Sequence, residues 1–276
     1  MILTTSRYRV MVYAVFAVFY LGLLPPSVGA ASVNVNVVCP GGGPGAYSSI
    51  SAALNSLNPN NSNTITVSGT CVENILISNF ERLLIQAAGG QTATITAADP
   101  NGIVLQTFQS AGITLSGLTI QGGATGVLLN QGSNVTIANC TSQLTMRGGP
   151  HQVQGSGSSA ADPTLRAGIR LNRGSLNLAG GTQISNNVGP GIRADQNTRT
   201  SLSNVTITSN SEEGIHLDRQ SVGGFFPPLA ISGNGIASIS CDSTSLVFGD
   251  VSTVSGISCQ RIERAMGPSR PGRVLP

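Results

Sequence analysis

Along most of the chain a small residue is followed by an apolar–variable–apolar triplet and then a polar residue. The segments are Gly102-Ile103-Val104-Leu105-Gln106, Gly126-Val127-Leu128-Leu129-Asn130, Gly168-Ile169-Arg170-Leu171-Asn172, Gly191-Ile192-Arg193-Ala194-Asp195, Gly214-Ile215-His216-Leu217-Asp218, Ser238-Ile239-Ser240-Cys241-Asp242 and Gly256-Ile257-Ser258-Cys259-Gln260. Their starts lie 24, 42, 23, 23, 24 and 18 residues apart. Alternation with a period of two predicts short strands with one buried face. A repeat in the low twenties with two or three such runs and no amphipathic helix buries its apolar side chains only by stacking on copies of itself. The pattern therefore predicts a β-solenoid. Leucine-rich repeats share the length, but the dense leucine pattern and helical return leg they need are absent.

Stacked on that period, Ile103, Val127, Ile169, Ile192, Ile215, Ile239 and Ile257 form one inward column. Leu105, Leu129, Leu171, Ala194, Leu217, Cys241 and Cys259 form the next. A second strand ends in Leu118-Thr119-Ile120, Val135-Thr136-Ile137, Gln183-Ile184, Val205-Thr206-Ile207 and Leu229-Ala230-Ile231. Three residues after the last three isoleucines stand Asn187, Asn210 and Asn234. Asparagine tolerates a sharp turn and its amide can bond from coil to coil, so these three are expected to form a ladder. A solenoid end exposes its core and needs a cover. Ile50, Ala53, Leu54 and Leu57 share one helical face behind a serine, so a short helix is expected to plug the N-terminal end.

Composition narrows the class. With 35 glycines, no tryptophan and only 9% charged residues among 276, the chain suits one repetitive β domain. Residues 1–31 carry Arg7 and Arg9, an uncharged apolar run from Val10 to Leu24, Pro25-Pro26 and the small residues Val28 to Ala31. That is the layout of a cleaved signal peptide. It predicts export, outside the cell or into the periplasm, with no stable membrane insertion afterwards and the β domain over 32–260. Export permits disulfides among Cys39, Cys71, Cys140, Cys241 and Cys259. Cys241 and Cys259 fall on adjacent coils, ~4.8 Å apart, and are expected to bond. Cys39 then pairs with Cys71 and Cys140 stays a core thiol. The long interval holds an inserted loop over 145–166, and 261–276 read as a basic, proline-containing tail. The formal charge of +3 is outweighed by four tail arginines, Arg261, Arg264, Arg270 and Arg273. The body is near neutral, which speaks against a nucleic-acid partner; the exported chain is expected to be a monomer.

The scarce charge concentrates at outward positions of the repeated strand. Leu128, Arg170, Arg193, His216, Ser240 and Ser258 make one column; Gln106, Asn130, Asn172, Asp195, Asp218, Asp242 and Gln260 make the next. Three carboxylates on successive coils, ~5 Å apart, repel unless a cation, arginines or a proton relieve them. Asp195 with Asp218 matches a retaining glycosidase pair, and Asp195 with Asp242 an inverting one. The same three aspartates can hold calcium. A third reading is a solvated polar face balanced by Arg173, Arg193, Arg219 and Glu212 or Glu213. His216, beside Asp218, either moves protons or caps the strand. Arg170, Arg193 and Asn172 are the candidate substrate-binding residues.

The repeat from Asn187 through Gly191, Ile192 and Asp195 to Val205-Thr206-Ile207 and Asn210 resembles the right-handed parallel β-helix proteins of the pectin-lyase-like superfamily. It is most similar to the repeats of carbohydrate-binding proteins, sugar hydrolases and mannuronan epimerases. The stretch from Gly45-Ala46-Tyr47 to Gly69-Thr70-Cys71-Val72-Glu73-Asn74-Ile75 is similar to the opening coil of pectin methylesterases, where the glycine and glutamate turn and cap the first coil. The resemblance implies an all-β, single-stranded right-handed parallel β-helix that binds or remodels carbohydrate, acidic polysaccharide above all, in lyase, hydrolase or epimerase fashion. The polygalacturonase and esterase signatures are missing, and only Phe248-Gly249-Asp250 echoes the latter. A non-catalytic extracellular surface or adhesion module is the alternative.

Overall fold

The computed structural model describes residues 31–264 apart from 90, 92, 138–144 and 148–165. The signal-peptide segment up to residue 30, Cys140, positions 148–165 of the expected loop and the tail beyond Arg264 lie outside the described residues. Among the described residues the strands form two parallel sheets, one of eight strands and one of fifteen. Ile75–Ser78, Ile103–Phe108, Thr125–Asn130, Ala167–Asn172, Ile192–Asp195, Ile215–Leu217, Ile239–Cys241 and Ile257–Ser258 build the smaller sheet, one strand from each successive coil. Every coil then passes through the larger sheet. In Arg199–Thr208 the first half pairs with Ser175–Leu178 and the second with Thr182–Ser185. Asn204, at φ 54°, sits at the break between the halves. The core is the stack of inward side chains, with Ile169, Leu171, Ile192, Ala194, Ile215 and Leu217 all buried.

The corner that leads back into the eight-stranded sheet explains the recurring Asn and Gly. Asn187 Nδ2 donates to Asn210 Oδ1 at 2.7 Å, and Asn210 Nδ2 donates to Asn234 Oδ1 at 2.9 Å. The backbone N–H groups of Asn187 and Asn210 donate to the same two oxygens. This is the expected ladder. Gly191 lies against it so closely that a β-carbon would stand 2.7 Å from the Gly214 carbonyl oxygen and 2.8 Å from Asn210 Nδ2. Only glycine leaves that space.

Helix α1 (Ile50–Ser56) covers the N-terminal end and buries Ile50, Ala53 and Leu54. Ser49 Oγ accepts from the Ala52 N–H, and the Glu73 carboxylate accepts from the N–H groups of Ile50 at 2.7 Å and Ser51 at 2.9 Å. Glu73 therefore caps the helix from the following coil. Beside it Cys39 and Cys71 form a disulfide with Cα atoms 5.0 Å apart, and Cys241 and Cys259 form another at 4.7 Å.

Four placements differ from the sequence reading. Ile103 opposes Thr125 while Leu105 opposes Val127, so Ile103–Phe108 is shifted by two residues. A shift of two keeps every side chain on its face, so alternation alone does not detect it. Val135–Ile137 stacks between Ile113–Leu115 and Leu176–Leu178, not on Leu118–Ile120. The track of Leu118–Gln121 is continued by Thr145–Arg147, so the first three positions of the expected loop belong to the solenoid. Ile262–Arg264 pairs with Val247–Gly249, which carries the sheet past residue 260 into the expected tail.

Candidate functional site

The outward face of the eight-stranded sheet carries the polar columns. Leu128, Arg170, Arg193, His216, Ser240 and Ser258 follow one another in register. Gln106 stands opposite Leu128 and so belongs to this column rather than the aspartate column; Phe108 takes its place beside Asn130. Asn172 pairs with Asp195.

Asp195 is the anchor of the face. Arg170 Nε donates to its Oδ2 at 3.3 Å and Arg193 Nε to its Oδ1 at 3.4 Å. The carboxylate side chain is 8% exposed, against 18% and 22% for the two arginines. One acid thus serves two cations from adjacent coils, and its oxygens are taken. Neither guanidinium uses its Nη groups in a hydrogen bond to another described residue. Beside them Asn172 Oδ1 is buried without a partner among the described residues, an unmet acceptor that costs roughly 1–3 kcal/mol.

Asp218 and Asp242 are engaged differently. Asp218 Oδ2 lies 3.6 Å from the exposed Arg219 Nε. Asp242 accepts from the N–H groups of Arg219 at 2.9 Å, Thr244 at 3.1 Å and Ser245 at 2.8 Å, and from Thr244 Oγ1. Its partial burial pushes its pKa up, but the bonds from Ser245, Arg219 and Thr244 outweigh that and hold it well below the carboxylate range. Asp195 is occupied by arginines and Asp242 by its own turn, so the three carboxylates do not converge as a calcium cage. Among the described residues, the one trio of metal-ligating type whose donor atoms all lie within 4.8 Å is Cys39, Cys71 and Glu73, and its cysteines are disulfide-bonded. For the glycosidase pairings, Asp218 is the least engaged of the three carboxylates, while Asp195 and Asp242 accept several bonds within the protein.

His216 finds Glu213 and Ser240 rather than Asp218. Its Nδ1 lies 2.8 Å from Ser240 Oγ and 3.5 Å from Glu213 Oε1. The hydrogen bond with Glu213, opposed by burial, raises the His216 pKa above 6.5, and the same bond lowers that of Glu213 below 4.5. The His216 contribution to stability is complete below 6.5 and is lost as the pH rises through the raised folded value. The Glu213 contribution is complete above 4.5 and is lost as the pH falls through the lowered folded value. The gap in melting temperature between the protein and its Glu213→Gln variant is therefore expected to be widest between pH 4.5 and 6.5 and to narrow on both sides. A gap independent of pH would contradict the pairing.

Past the strands, the turn holds Arg173, Gln196, Asn197, Arg219 and Gln220 at φ between 53° and 66°. Left-handed backbone costs these residues roughly 1–2 kcal/mol each. They line a shallow cavity of about 550 Å³ that Asp242 also borders. This cavity and the Glu213 contact were not singled out from sequence, since both lie at corners where the period-two pattern stops. Ser240 was legible as the next member of the His216 column.

The residues 45–254 match a family profile described as right handed beta helix region. The chain belongs to the right-handed β-helix family. No curated protein and no solved structure matches it. Membership accounts for the parallel coils and the stacked corners, and leaves the chemistry of the outer face to its own side chains. Among the described residues no helix is long and apolar enough to cross a membrane.

Proposed function

We propose that this β-helix protein binds acidic polysaccharide on the outer face of its eight-stranded sheet, as a retention surface rather than a bond-cleaving one. The arginine pair on Asp195 carries the reading. A carboxylate that fixes Nε of two guanidiniums leaves their Nη donors without a partner among the described residues, and paired N–H donors match the carboxylates of a uronate. Coils ~4.8 Å apart repeat that match along the axis. His216 adds a third cation in mildly acidic solution, and Arg173 and Arg219 extend the positive edge into the turn cavity. Acceptors are scarce by comparison, because Asp195 and Asp242 spend their oxygens within the protein. That favours the non-catalytic surface module over a lyase, hydrolase or epimerase. Two disulfides suit the oxidising surroundings that export provides, so the polymer would be met outside the cytoplasm.

The test is affinity electrophoresis of the purified protein through gels containing polygalacturonate, alginate or neutral dextran, with and without calcium. Unsaturated products and reducing ends are followed in parallel. Retardation by an acidic polymer, absent in dextran and weakened by salt, is the expected outcome. Product formation that disappears in Asp218→Ala would instead establish catalysis. Free migration through both acidic gels would end the acidic-polysaccharide reading.

A further inference from the structure

We propose that the protein carries a second saccharide site, for an uncharged sugar, on the opening face of the larger sheet. There Asn177, Ser201, Gly224, Phe248 and Glu263 stand in register on five successive strands, with Ser175, Arg199, Val222 and Leu246 as the neighbouring column. All of these but Gly224 border a groove of about 710 Å³.

Its floor is aromatic by construction. Gly224 has no side chain, and the tip of the Phe248 ring occupies the space above it: a β-carbon at Gly224 would stand 2.5 Å from Phe248 Cζ. Phe226, itself 42% exposed, meets the Phe248 ring edge-on with centroids 5.9 Å apart and planes at 77°. Two rings are thus set at an outer surface in a chain with only 4% aromatic residues. Around this floor, the side chains of Asn177, Ser201, Arg199 and Glu263 make no hydrogen bond or ion pair to another described residue.

The chemistry selects the ligand. An aromatic face takes the C–H side of a pyranose, while a surrounding amide, hydroxyl, guanidinium and carboxylate supply donors and acceptors for its hydroxyl groups. The groove's one cation and one anion cancel, so it suits a neutral sugar, in contrast to the arginine face. An extended peptide would need an unpaired strand edge, and these strands are hydrogen-bonded on both sides except Ile262–Arg264 at the sheet's end.

The experiment measures binding of cello-, manno-, xylo- and galacto-oligosaccharides to the full mature chain by calorimetry. At least one series is expected to bind, and Phe248→Ala to weaken it by about tenfold or more. Gly224→Ala lifts the ring without uncovering the core and is expected to act in the same direction, as is the surface change Asn177→Ala. Melting temperatures confirm that each variant is folded. Arg193→Ala should leave neutral-sugar binding unchanged, so failure here and failure of the acidic-polymer reading are told apart. Absence of binding to every series, indifference to Phe248→Ala and Asn177→Ala, or binding seen only after removal of 265–276 would overturn the proposal.

Discussion

Asn210→Ala is expected to destabilise the protein by about 3–5 kcal/mol, from two or more buried groups each losing its partner at roughly 1–3 kcal/mol. Asn210 is the middle rung of the ladder and is 2% exposed. Its Oδ1 accepts from Asn187 Nδ2 and from the Asn187 N–H, and its Nδ2 donates to Asn234 Oδ1. Alanine takes the shared acceptor from the Asn187 N–H and Nδ2 on one coil and one of two donors from Asn234 Oδ1 on the next, which keeps only the residue-210 N–H. Solenoid coils hold together only through their neighbours, so a loss at one corner weakens coupling along the stack. Urea titration followed by circular dichroism should show a lower midpoint and a broader transition. Asn186→Ala, next to the Asn187 rung and exposed, removes a single bond to Ser185 Oγ at a left-handed position (φ 57°) and should cost no more than about 1–2 kcal/mol. Equal effects at 186 and 210 would contradict the ladder as the organising contact.

Asp195→Ala should cost about 2–4 kcal/mol, because it strands two partly buried guanidiniums side by side. The sign of the coupling distinguishes this from a simple loss of packing. Removing Arg170 and Arg193 together with Asp195 should recover most of the loss, since no unpaired charge is then left. Asp195→Asn keeps the shape and removes the charge, and should fall between. The same variants bear on the proposed surface. Without Asp195 the arginines keep their charge and lose their common orientation, so binding of an acidic polymer should weaken while its dependence on salt persists. A set of additive effects would mean that Asp195 does not hold the pair.

Much of this was legible in the chain. Alternation in Gly191 to Asp195 and its copies reveals which side chains point outward, and the coil spacing puts Arg170, Arg193 and His216 in one column. Cys241 and Cys259 could be paired for the same reason. What alternation does not carry is register in multiples of two, and Ile103 shows it: Leu105 points inward under either placement, which sets it opposite Leu129 or opposite Val127. Thr145–Arg147 was hidden because an interval of 42 contains a full coil and an insertion together, and the strand resumes without a glycine to mark it. The partnership of Asp195 with two arginines was not legible either. Neighbouring columns can be read from spacing, whereas the choice between solvent, calcium and guanidinium depends on side-chain direction. Glu213 was one of two acids weighed as a balance for the face, and only the corner geometry shows that its partner is His216.

The central claim is that the Asp195-anchored arginines recognise carboxylates. Its most direct test is a calorimetric titration of polygalacturonate oligomers into the protein and into the Arg170→Ala, Arg193→Ala double variant, at two salt concentrations. Binding that falls by about 100-fold or more in the double variant, as expected when two charge-assisted contacts of roughly 1.5–3 kcal/mol each are lost, and that weakens with salt in the parent protein, is the predicted result. Equal affinity in the two proteins would contradict the account and remove the eight-stranded face as the binding surface.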